Sequence, residues 1–478
     1  MSEKVTNENV NRPSLASAVS IVLFLVFSFI AQLVIKGEPD IHMTLIFAAV
    51  FATVVLIIFE KSSLSVVEEG IIHGSKIATV SMMILMFIGV MIPAWIGAGT
   101  IPTLIYYGLK IISPSIFLVA AIIVCSIATL TTGTSWGTVA TFGVALMGIG
   151  GGMQIPPAMT AAAVICGAIF GDKMSPISDT VNLSAGTCEV NIFDHIKAVS
   201  VATVPSMIIT LIFFGVLQFR FVGSMASRGS IDDVLQVLSS NFNLSPVHAL
   251  ISLIPIILIL VLALRKVNAL ATIVISALVA MAIAIIFQGY GLFQMMNFMN
   301  YGFVIETASE DVNLLLNRGG LQSMMWTVSL GYLGLSYGGI LEKTGVLDTL
   351  LFSAQSITKN ARNLILTQII TGFLTIMLSA SPYVSILIPG RMFIKGYDKL
   401  GIDRTVCSRT LEHSGICLDP LLPWALGAVY FSGVLGVQTL DYAPYCVFLY
   451  ITPIFAALYG ITGLFIPKAK NSDVSAVK

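Results

Sequence analysis

Apolar residues fill most of the chain, in long runs that short polar stretches separate. The runs form two sets of seven, at 15–35, 42–59, 77–96, 114–131, 136–148, 157–170 and 198–219, and again at 247–264, 268–287, 322–341, 363–380, 382–394, 406–436 and 445–466. A helix needs about 20 residues to cross the hydrocarbon layer of a membrane. We therefore predict an all-α polytopic membrane protein, in which the short runs 136–148 and 382–394 are arms of re-entrant hairpins.

Composition supports this fold class and narrows the function. The 478 residues are 56% hydrophobic and 10% charged, whereas soluble domains carry about 25% charged residues. The formal net charge is zero, so no basic surface indicates a nucleic-acid partner. The six cysteines are scattered, without the spacing of a zinc or iron–sulfur site. We expect a lipid bilayer as the surroundings, and no cofactor, nucleic acid or enzymatic activity.

The two sets of runs resemble each other. A shift of 244 to 247 residues brings Trp136 onto Tyr383 and Asp194 onto Asp441. Matched spacing of this kind indicates an internal repeat. The predicted parts are a tail at 1–14, a first repeat at 15–219, an external connection at 220–246, a second repeat at 247–467 and a tail at 468–478.

The basic residues indicate how the two halves are oriented. With the N-terminus inside, the loops assigned to the cytoplasm hold eighteen Lys and Arg residues, and the external loops hold five, which follows the positive-inside rule. Residues 148–156 carry no charge, while their counterpart 390–405 carries four basic residues. We therefore predict two inverted-topology repeats with both termini in the cytoplasm. Inverted repeats with broken helices are typical of secondary transporters.

Candidate chemistry lies where the apolar runs are interrupted. Residues 167–189 place acidic and hydroxyl side chains between two apolar segments, and residues 409–424 do so in the second half. Irregular backbone at membrane depth needs protein or water partners, and ionisable groups there are costly. The side chains that we expect to form a site in these interruptions are Asp172, Ser175, Asp179, Thr180, Glu412, His413 and Asp419.

Two hydroxyl-rich stretches, 131–138 and 379–385, match each other across the repeat. Hydroxyls and exposed carbonyls beside such turns can replace the water around a small cation. The side chains that we expect to contribute are Thr134, Ser135, Ser379 and Ser381. Together with carboxylates such as Asp179 and Asp172 they predict an oxygen-lined site that binds either a monovalent cation or a proton.

Several of these residues have purely structural alternatives. Asp172 could pair with Lys173. Glu412 could form a buried pair with Arg409, three residues earlier on the same helix face. His413 is either an interior histidine or a proton carrier, since imidazole exchanges protons near physiological pH. Capping of a helix end is a further alternative for Asp172 and Asp419.

Three motifs make the chain similar to a known family. They are GTSWGT at 133–138, GDKMSPISDT at 171–180, and SRTLEHSG with DPLLPW within 408–424. Together they resemble the NhaC family of bacterial sodium/proton antiporters, over nearly the whole chain. This chain departs from the family at His413, where the family is typically acidic, and at Ala425, where it is typically polar.

The resemblance implies an exchanger in the bacterial cytoplasmic membrane, built from a scaffold part and a mobile part. It also implies that four residues of the middle motif sit in the ion site, and that three others lie close by. The first group is Asp172, Ser175, Asp179 and Thr180, and the second is Thr134, Ser135 and Glu412.

Two main hypotheses follow. In the first, the protein exports Na⁺ and imports protons by alternating access. In the second, the protein exchanges a small carboxylate coupled to Na⁺ and H⁺, as family members that resemble malate/lactate exchangers suggest. Arg409, half-helix N-termini or hairpin hydroxyls would then bind the carboxylate. A channel is a third hypothesis, which saturable and slow transport would exclude. A homodimer is compatible with each of them.

Overall fold

The computed structural model describes residues 12–222, 228–265, 267–307, 309–355 and 360–469. Most of the two predicted tails, 1–14 and 468–478, lies outside these ranges. The described chain is mainly helical, and the one β-type pairing within it is an isolated bridge between Ile402 and Lys468.

The helices of the first half follow one another closely along the chain. They are α1 (Leu15–Lys36), α2 (Ile41–Glu60), α3 (Leu64–Gly97), α4 (Thr100–Ile111), α5 (Phe117–Thr132), α6 (Ser135–Thr138), α7 (Val144–Gly152), α8 (Pro157–Met174), α9 (Asp179–Thr187) and α10 (Ile192–Val222). A π-helical turn, Val139–Gly143, joins α6 to α7. Helix α11 (Arg228–Asn241) lies in the connection between the halves.

The second half contains more short helices. They are α12 (Pro246–Ser252), α13 (Ile254–Leu264), α14 (Ala269–Phe287), α15 (Leu292–Tyr301), α16 (Glu310–Leu316), α17 (Met325–Lys343), α18 (Val346–Gln355), α19 (Ala361–Ser379), α20 (Pro382–Lys399), α21 (Arg404–Glu412), α22 (Gly415–Leu418), α23 (Leu426–Leu435), α24 (Thr439–Tyr442) and α25 (Val447–Thr462). Short 3₁₀ turns occupy Gln322–Met324, Asp419–Leu421 and Ala443–Tyr445.

Helix length and surface composition confirm the predicted fold class. Within the described ranges, seven helices are long and apolar enough to cross a membrane, and counting three bent pairs as spans gives ten. Large apolar side chains cover the outside, among them Phe27, Ile35 and Phe293, which are 72%, 80% and 83% exposed. Such a surface would promote association in water but is stable against lipid. The protein is an all-α, multi-pass membrane protein.

Two helices of the first half have counterparts in the second half that begin 247 residues later. Helix α6 begins at Ser135 and α20 at Pro382, while α8 begins at Pro157 and α21 at Arg404. Helix α8 is bent against α9 by 44°, and the segment Arg404–Leu421 is bent against α23 by 45°. These matched breaks agree with a duplicated architecture. The inversion of one half relative to the other stays a prediction.

Matched turns connect the two arms of each hairpin. Gly133 and Ala380 both adopt the left-handed backbone conformation, with φ of 73° and 55°, and end the first arms. The Thr134 and Ser381 hydroxyls then each accept a hydrogen bond from the backbone N–H three residues on. These caps satisfy amide groups for which lipid offers no partner.

The second arms are longer than the predicted runs 136–148 and 382–394. One continues from Ser135 through the π-turn to Gly152, and the other is the 18-residue helix α20. The predicted arms ended where the apolar runs end, because glycines follow the first run and charged residues follow the second. The backbone nevertheless stays helical, so the end of an apolar run is not the end of a helix.

Helices α3 and α17 approach each other through glycines. A Cβ atom on Gly74 would lie 2.0 Å from the carbonyl oxygen of Leu335, and one on Gly339 would lie 2.2 Å from that of Gly70. Small residues allow such close backbone approach between membrane helices. Because α3 also lines the cavities of the protein, this contact holds a wall of the candidate site in place.

Gly74→Ala should destabilise the protein, because the added methyl group would collide with the backbone of α17. We expect a lower melting temperature of the purified protein in detergent, corresponding to about 1–3 kcal/mol of unfolding free energy. Gly186→Ala is the matched control, since a Cβ atom there meets nothing within 4 Å. Equal melting temperatures for the two variants would contradict this packing.

Candidate functional site

A cavity of about 610 Å³ lies where a hairpin turn and the broken helices meet. We call it the first cavity. Three carboxylates line it, those of Asp172, Asp179 and Asp419, and no Lys, Arg or His does so among the residues that the structure describes. Hydroxyl side chains complete its polar wall, among them Thr134, Ser135, Thr141, Thr180 and Tyr383.

Asp172 lies in the last turn of α8, where the helix breaks, and its side chain is buried. The Ser135 hydroxyl donates a hydrogen bond of 2.7 Å to Oδ2 of Asp172. The other oxygen, Oδ1, is buried and has no hydrogen-bond donor within the described part of the chain. A buried carboxylate oxygen without a donor is costly, and a cation or a proton would relieve that cost.

Asp179 is the first residue of α9, on the other side of the same break. Its Oδ1 accepts a hydrogen bond of 2.9 Å from the backbone N–H of Thr180. Its Oδ2 accepts one of 2.8 Å from the Tyr383 hydroxyl, which comes from the first turn of α20. The Thr180 hydroxyl lies 3.2 Å from that of Ser178. This carboxylate is exposed to the cavity and connects the two halves of the chain.

Asp419 lies 247 residues after Asp172, the same spacing that separates the starts of α6 and α20. It begins the 3₁₀ turn before α23, and its Oδ1 accepts a hydrogen bond of 3.0 Å from the backbone N–H of Gly427. A Cβ atom on Gly427 would lie only 2.0 Å from Oδ2, so glycine is required for this contact. The expected capping contact is therefore present, and the same side chain also lines the cavity.

Three serines that we expected in the site lie behind its wall. The Ser175 hydroxyl donates to the carbonyl oxygen of Leu130 at 3.0 Å and so joins the break to α5. Ser381 caps α20, and Ser379 donates to the carbonyl oxygen of Ser381 at 3.4 Å. None of the three serines lines the first cavity. The second hairpin contributes Pro382 and Tyr383 instead, because its serine hydroxyls satisfy the turn itself.

Glu412 has a different partner from the one expected. Its Oε2 lies 3.0 Å from the Lys173 ammonium, which also donates to the Glu412 carbonyl oxygen, and its Oε1 accepts a hydrogen bond of 2.9 Å from Ser184. The side chains of Lys173 and Glu412 are 1% and 0% exposed. The structural alternatives Glu412–Arg409 and Asp172–Lys173 are absent from the ion pairs of the described residues. Lys173, one of the eighteen basic residues assigned above to cytoplasmic loops, lies in helix α8 instead. Helix α21 ends at Glu412, so the carboxylate meets α8 instead of its own helix.

Arg409 and His413 are buried but do not line the first cavity. Nε2 of His413 shares a hydrogen bond of 3.3 Å with the Thr203 hydroxyl. No carboxylate of the described chain lies within ion-pair distance of Arg409. The placement of His413 fits an interior histidine better than a ligand of the cavity. Glu412, His413 and Arg409 therefore surround the site without reaching it.

Sequence reasoning missed Tyr383, Lys173 and Tyr430 as parts of this region. The Tyr430 ring stacks on that of Trp136, with centroids 4.1 Å apart and an interplanar angle of 19°. The repeat held one usable signal, because it aligns Tyr383 with Trp136, and both aromatic residues line the first cavity. No local pattern marks Tyr430 or the partner of Lys173.

Known proteins of similar sequence match almost the whole chain. A family model described as the Na⁺/H⁺ antiporter family matches residues 13–181 and 167–464. A Na(+)/H(+) antiporter NhaC from Alkalihalophilus pseudofirmus is 37% identical over 444 residues, which cover 92% of this chain and 94% of that protein. A Na(+)/H(+) antiporter NhaC from Bacillus subtilis is 35% identical and covers 93% of this chain and 97% of its own length.

Two further proteins are similar to this chain. A Malate-2H(+)/Na(+)-lactate antiporter from Bacillus subtilis is 35% identical over 471 residues, which cover 98% of this chain and 99% of that protein. The solved structure of Neisseria gonorrhoeae MtrF is more distant, with 11% identity and a TM-score of 0.41 over 95% of this chain and 97% of that chain.

Tyr383→Phe should weaken cation binding in the first cavity, because it removes the hydroxyl that holds Oδ2 of Asp179 in place. A hydrogen bond to a charged group contributes about 1.5–3 kcal/mol, so we expect an increase of about tenfold or more in the Na⁺ concentration that half-saturates transport. Tyr450→Phe, outside the cavity, is the control. An unchanged half-saturation concentration in Tyr383→Phe would remove this contact from the site.

Proposed function

The chain belongs to the Na⁺/H⁺ antiporter family, and from this premise we propose that it exports Na⁺ in exchange for protons by alternating access. The observation that carries the proposal is the first cavity, with three carboxylates and no basic side chain in its described lining. Such a cavity attracts cations and repels anions. A position in the bacterial cytoplasmic membrane, with both termini inside, is part of the same proposal.

The oxygen atoms around Asp172 suit Na⁺. Carboxylate, hydroxyl and carbonyl oxygens at helix breaks coordinate Na⁺ and H⁺ in secondary transporters. Oδ1 of Asp172 offers an oxygen without a protein donor, and Asp179 offers a second carboxylate across the break. The Thr134, Ser135 and Thr180 side chains line the same cavity. We infer that Na⁺ binds between Asp172 and Asp179, with hydroxyl oxygens completing its shell.

The buried position of Asp172 also explains why exchange would be coupled. An ionised carboxylate is expensive inside a membrane protein unless a counter-charge accompanies it. The site is therefore stable when it carries Na⁺ or a proton and unstable when it carries neither. If only the stable forms change their access from one side to the other, Na⁺ cannot leave without a proton returning.

A second cavity of about 1020 Å³ borders the other ends of the same helices. Along α3, Ile84 lines the first cavity and Ile92 lines the second. These two residues are about 12 Å apart along the helix axis, at 1.5 Å per residue. Along α23, Tyr430 lines the first and Ser432 the second. The linings of the two cavities share none of the residues that the structure describes. Two cavities that approach one short stretch of helix from opposite ends suit alternating access.

An aromatic pair lies between these cavities. Trp136 comes from the first hairpin and Tyr430 from α23, so each half of the chain contributes one ring. The Tyr430 hydroxyl donates a hydrogen bond of 3.0 Å to the carbonyl oxygen of Trp136. Both residues line the first cavity, and the next turn of α23 lines the second. We propose that this stacked pair closes the first cavity towards the second.

The basic residues suggest which side each cavity faces. Ala263, Val267 and Ala269 line the first cavity and flank the loop that carries Arg265. The positive-inside rule assigns that loop to the cytoplasm. On this assignment the first cavity opens inwards and the second opens outwards, and the structure represents an inward-facing state.

Asp172→Asn should abolish exchange, because an amide cannot carry a proton and binds Na⁺ poorly. Asp179→Asn should do the same if both carboxylates hold the ion. The measurement is the Na⁺-dependent change in ΔpH across everted membrane vesicles, which we expect to fall to the level of vesicles without the protein.

Glu68→Gln is the matched control for these carboxylates, since Glu68 is exposed on α3 and lies outside both cavities. It should leave exchange unchanged at equal membrane abundance. A fully active Asp172→Asn variant would remove this residue from the mechanism and with it the proposed coupling.

Tyr430→Ala should open a path between the cavities, because it removes both the ring and the hydroxyl that hold Trp136. In proteoliposomes that contain this variant, we expect Na⁺ to cross the membrane without a matching proton flux. Tyr430→Phe keeps the stack and should remain coupled. A Tyr430→Ala variant with wild-type coupling would show that the barrier lies elsewhere.

The organic-acid hypothesis finds less support in the first cavity. A carboxylate substrate needs a basic or strongly hydrogen-bonding partner, and the described lining of that cavity contains acidic residues but no basic ones. Arg409, the expected carboxylate ligand, lies outside it. Uptake or exchange of labelled malate or lactate by proteoliposomes would favour this second function over simple Na⁺/H⁺ exchange.

A further inference from the structure

The second cavity differs from the first in its charge. Arg318 is the one basic side chain in its described lining, and Glu38 is the one acidic side chain. Glu38 lies on the exposed loop between α1 and α2, and Arg318 is half-buried in the segment between α16 and α17. The wall of this cavity therefore carries a cationic group, where the first cavity carries three carboxylates.

The Arg318 guanidinium has no counter-ion in the described structure. The ion pairs found there join His73 to Glu342, Lys173 to Glu412, and Arg404 to Glu189 and Asp398. Among the described residues, Arg318 is hydrogen-bonded through its backbone alone: its N–H donates to the Leu316 carbonyl oxygen at 2.8 Å, and its carbonyl oxygen accepts from the Phe303 N–H at 3.2 Å.

The Arg318 guanidinium is partly removed from water, which makes its positive charge less stable. Desolvation lowers the pKa of Arg318, but arginine remains protonated at physiological pH. An unpaired and partly desolvated cation is costly, and an anion that contacts it would relieve the cost.

The surrounding backbone holds Arg318 rigidly. The side-chain amide of Asn317 bonds to both the N–H and the carbonyl oxygen of Ile305, at 2.7 and 3.0 Å. The N–H of Gly320 donates to the carbonyl oxygen of Gly89 in α3, at 2.7 Å. A Cβ atom on Gly320 would lie 2.3 Å from the Gly302 nitrogen. Arg318 thus projects from a segment that is tied to a main helix of the bundle.

We propose that Arg318 anchors a binding site for a small organic carboxylate in the second cavity. A guanidinium binds a carboxylate through two parallel hydrogen bonds. Ser323 and Thr327 place hydroxyl groups in the same lining, where they can contact the other polar atoms of the ligand. The cavity is large enough for a compact acid and its water, at about 1020 Å³.

The apolar part of the lining favours an organic anion over an inorganic one. Ile92, Met147 and Leu330 contribute to the wall together with the polar side chains. Sulfate and phosphate are strongly hydrated on all sides and gain nothing from such surfaces, whereas the carbon chain of a carboxylic acid does.

This site is independent of the proposed cation exchange, since none of its residues lines the first cavity. The carboxylate would be a substrate of exchange or a ligand that occupies the cavity on that side. Either role begins with binding at Arg318, and binding is what the experiment measures.

The experiment measures the binding of radiolabelled succinate to the purified full-length protein in detergent. We expect saturable binding, and a loss of affinity of at least about tenfold in Arg318→Ala, because the charge-assisted contact is removed. Arg318→Lys should retain part of the affinity. Arg362→Ala, which removes an exposed arginine of α19 outside the cavity, should bind like the wild type.

Competitors and one further variant complete the design. Unlabelled succinate should displace the label, and neutral succinamide should not. Asp172→Asn should still bind succinate while it loses Na⁺/H⁺ exchange, so that failure of one proposal is distinguishable from failure of the other. Sulfate or phosphate that competes as well as succinate would overturn the assignment to an organic carboxylate.

A second measurement covers the case in which Arg318→Ala does not fold. Phenylglyoxal modifies accessible arginines, and mass spectrometry of the wild-type protein reports the modification at each one. Succinate should protect Arg318 and leave Arg362 reactive. Absence of saturable succinate binding, or equal modification of Arg318 with and without succinate, would overturn the proposal.

Discussion

The structure depends on one constraint, that polar groups at membrane depth must find partners within the protein. At the helix breaks, nearby side chains supply these hydrogen-bond partners. The Thr134 and Ser381 hydroxyls cap the second arms of the hairpins, and Ser175 satisfies a carbonyl oxygen of α5. The largest such contact is the buried pair of Lys173 and Glu412, which joins α8 of the first half to α21 of the second. These contacts allow broken helices to exist in an apolar chain.

Against this background, the polar atoms that remain unpaired stand out. Oδ1 of Asp172 is buried without a donor in the described structure, although the Lys173, Ser175 and Asp179 side chains beside it are hydrogen-bonded. Such an atom can accept a proton or contact Na⁺ without giving up an existing hydrogen bond. Lys173 is the next residue along the chain, yet it is engaged by Glu412 and leaves Asp172 available. Because Lys173 pairs with Glu412, the Asp172 carboxylate stays available for a proton or Na⁺.

The two cavities divide the charges between the two ends of the bundle. The first cavity collects carboxylates and aromatic hydroxyls, while the second is lined by Glu38 and by the Arg318 guanidinium, which has no ion-pair partner among the described residues. An exchanger with this arrangement could bind a cation at the break and an anion at the other entrance without either ligand competing for the same groups. The stacked rings of Trp136 and Tyr430 line the first cavity, and Ser432, two residues after Tyr430, lines the second.

The sequence by itself determined the fold class, the duplicated spacing, the acidic interruptions and the family. The fold class and the interruptions depend on local composition: hydropathy summed over about 20 residues marks a span, and clustered polar residues mark a break. The duplicated spacing came from the order of the runs, and the family from the resemblance of three motifs. Asp172, Asp179, Asp419, Thr134, Ser135 and Thr180 were therefore recognisable, and the structure places all six in one cavity.

Only the tertiary structure decided which polar group pairs with which. Glu412 meets Lys173 across 239 positions of sequence, and Tyr383 meets Asp179 across 204. Ser379 and Ser381 turn towards their own backbone, and the Arg318 guanidinium lies beside a cavity without an ion-pair partner among the described residues. Nothing in their local sequence distinguishes these side chains from groups that bind ligands. A helix or a break forms from neighbours in the chain, whereas the partner of a buried charge is chosen by packing, which brings together residues whose separation in sequence carries no signal.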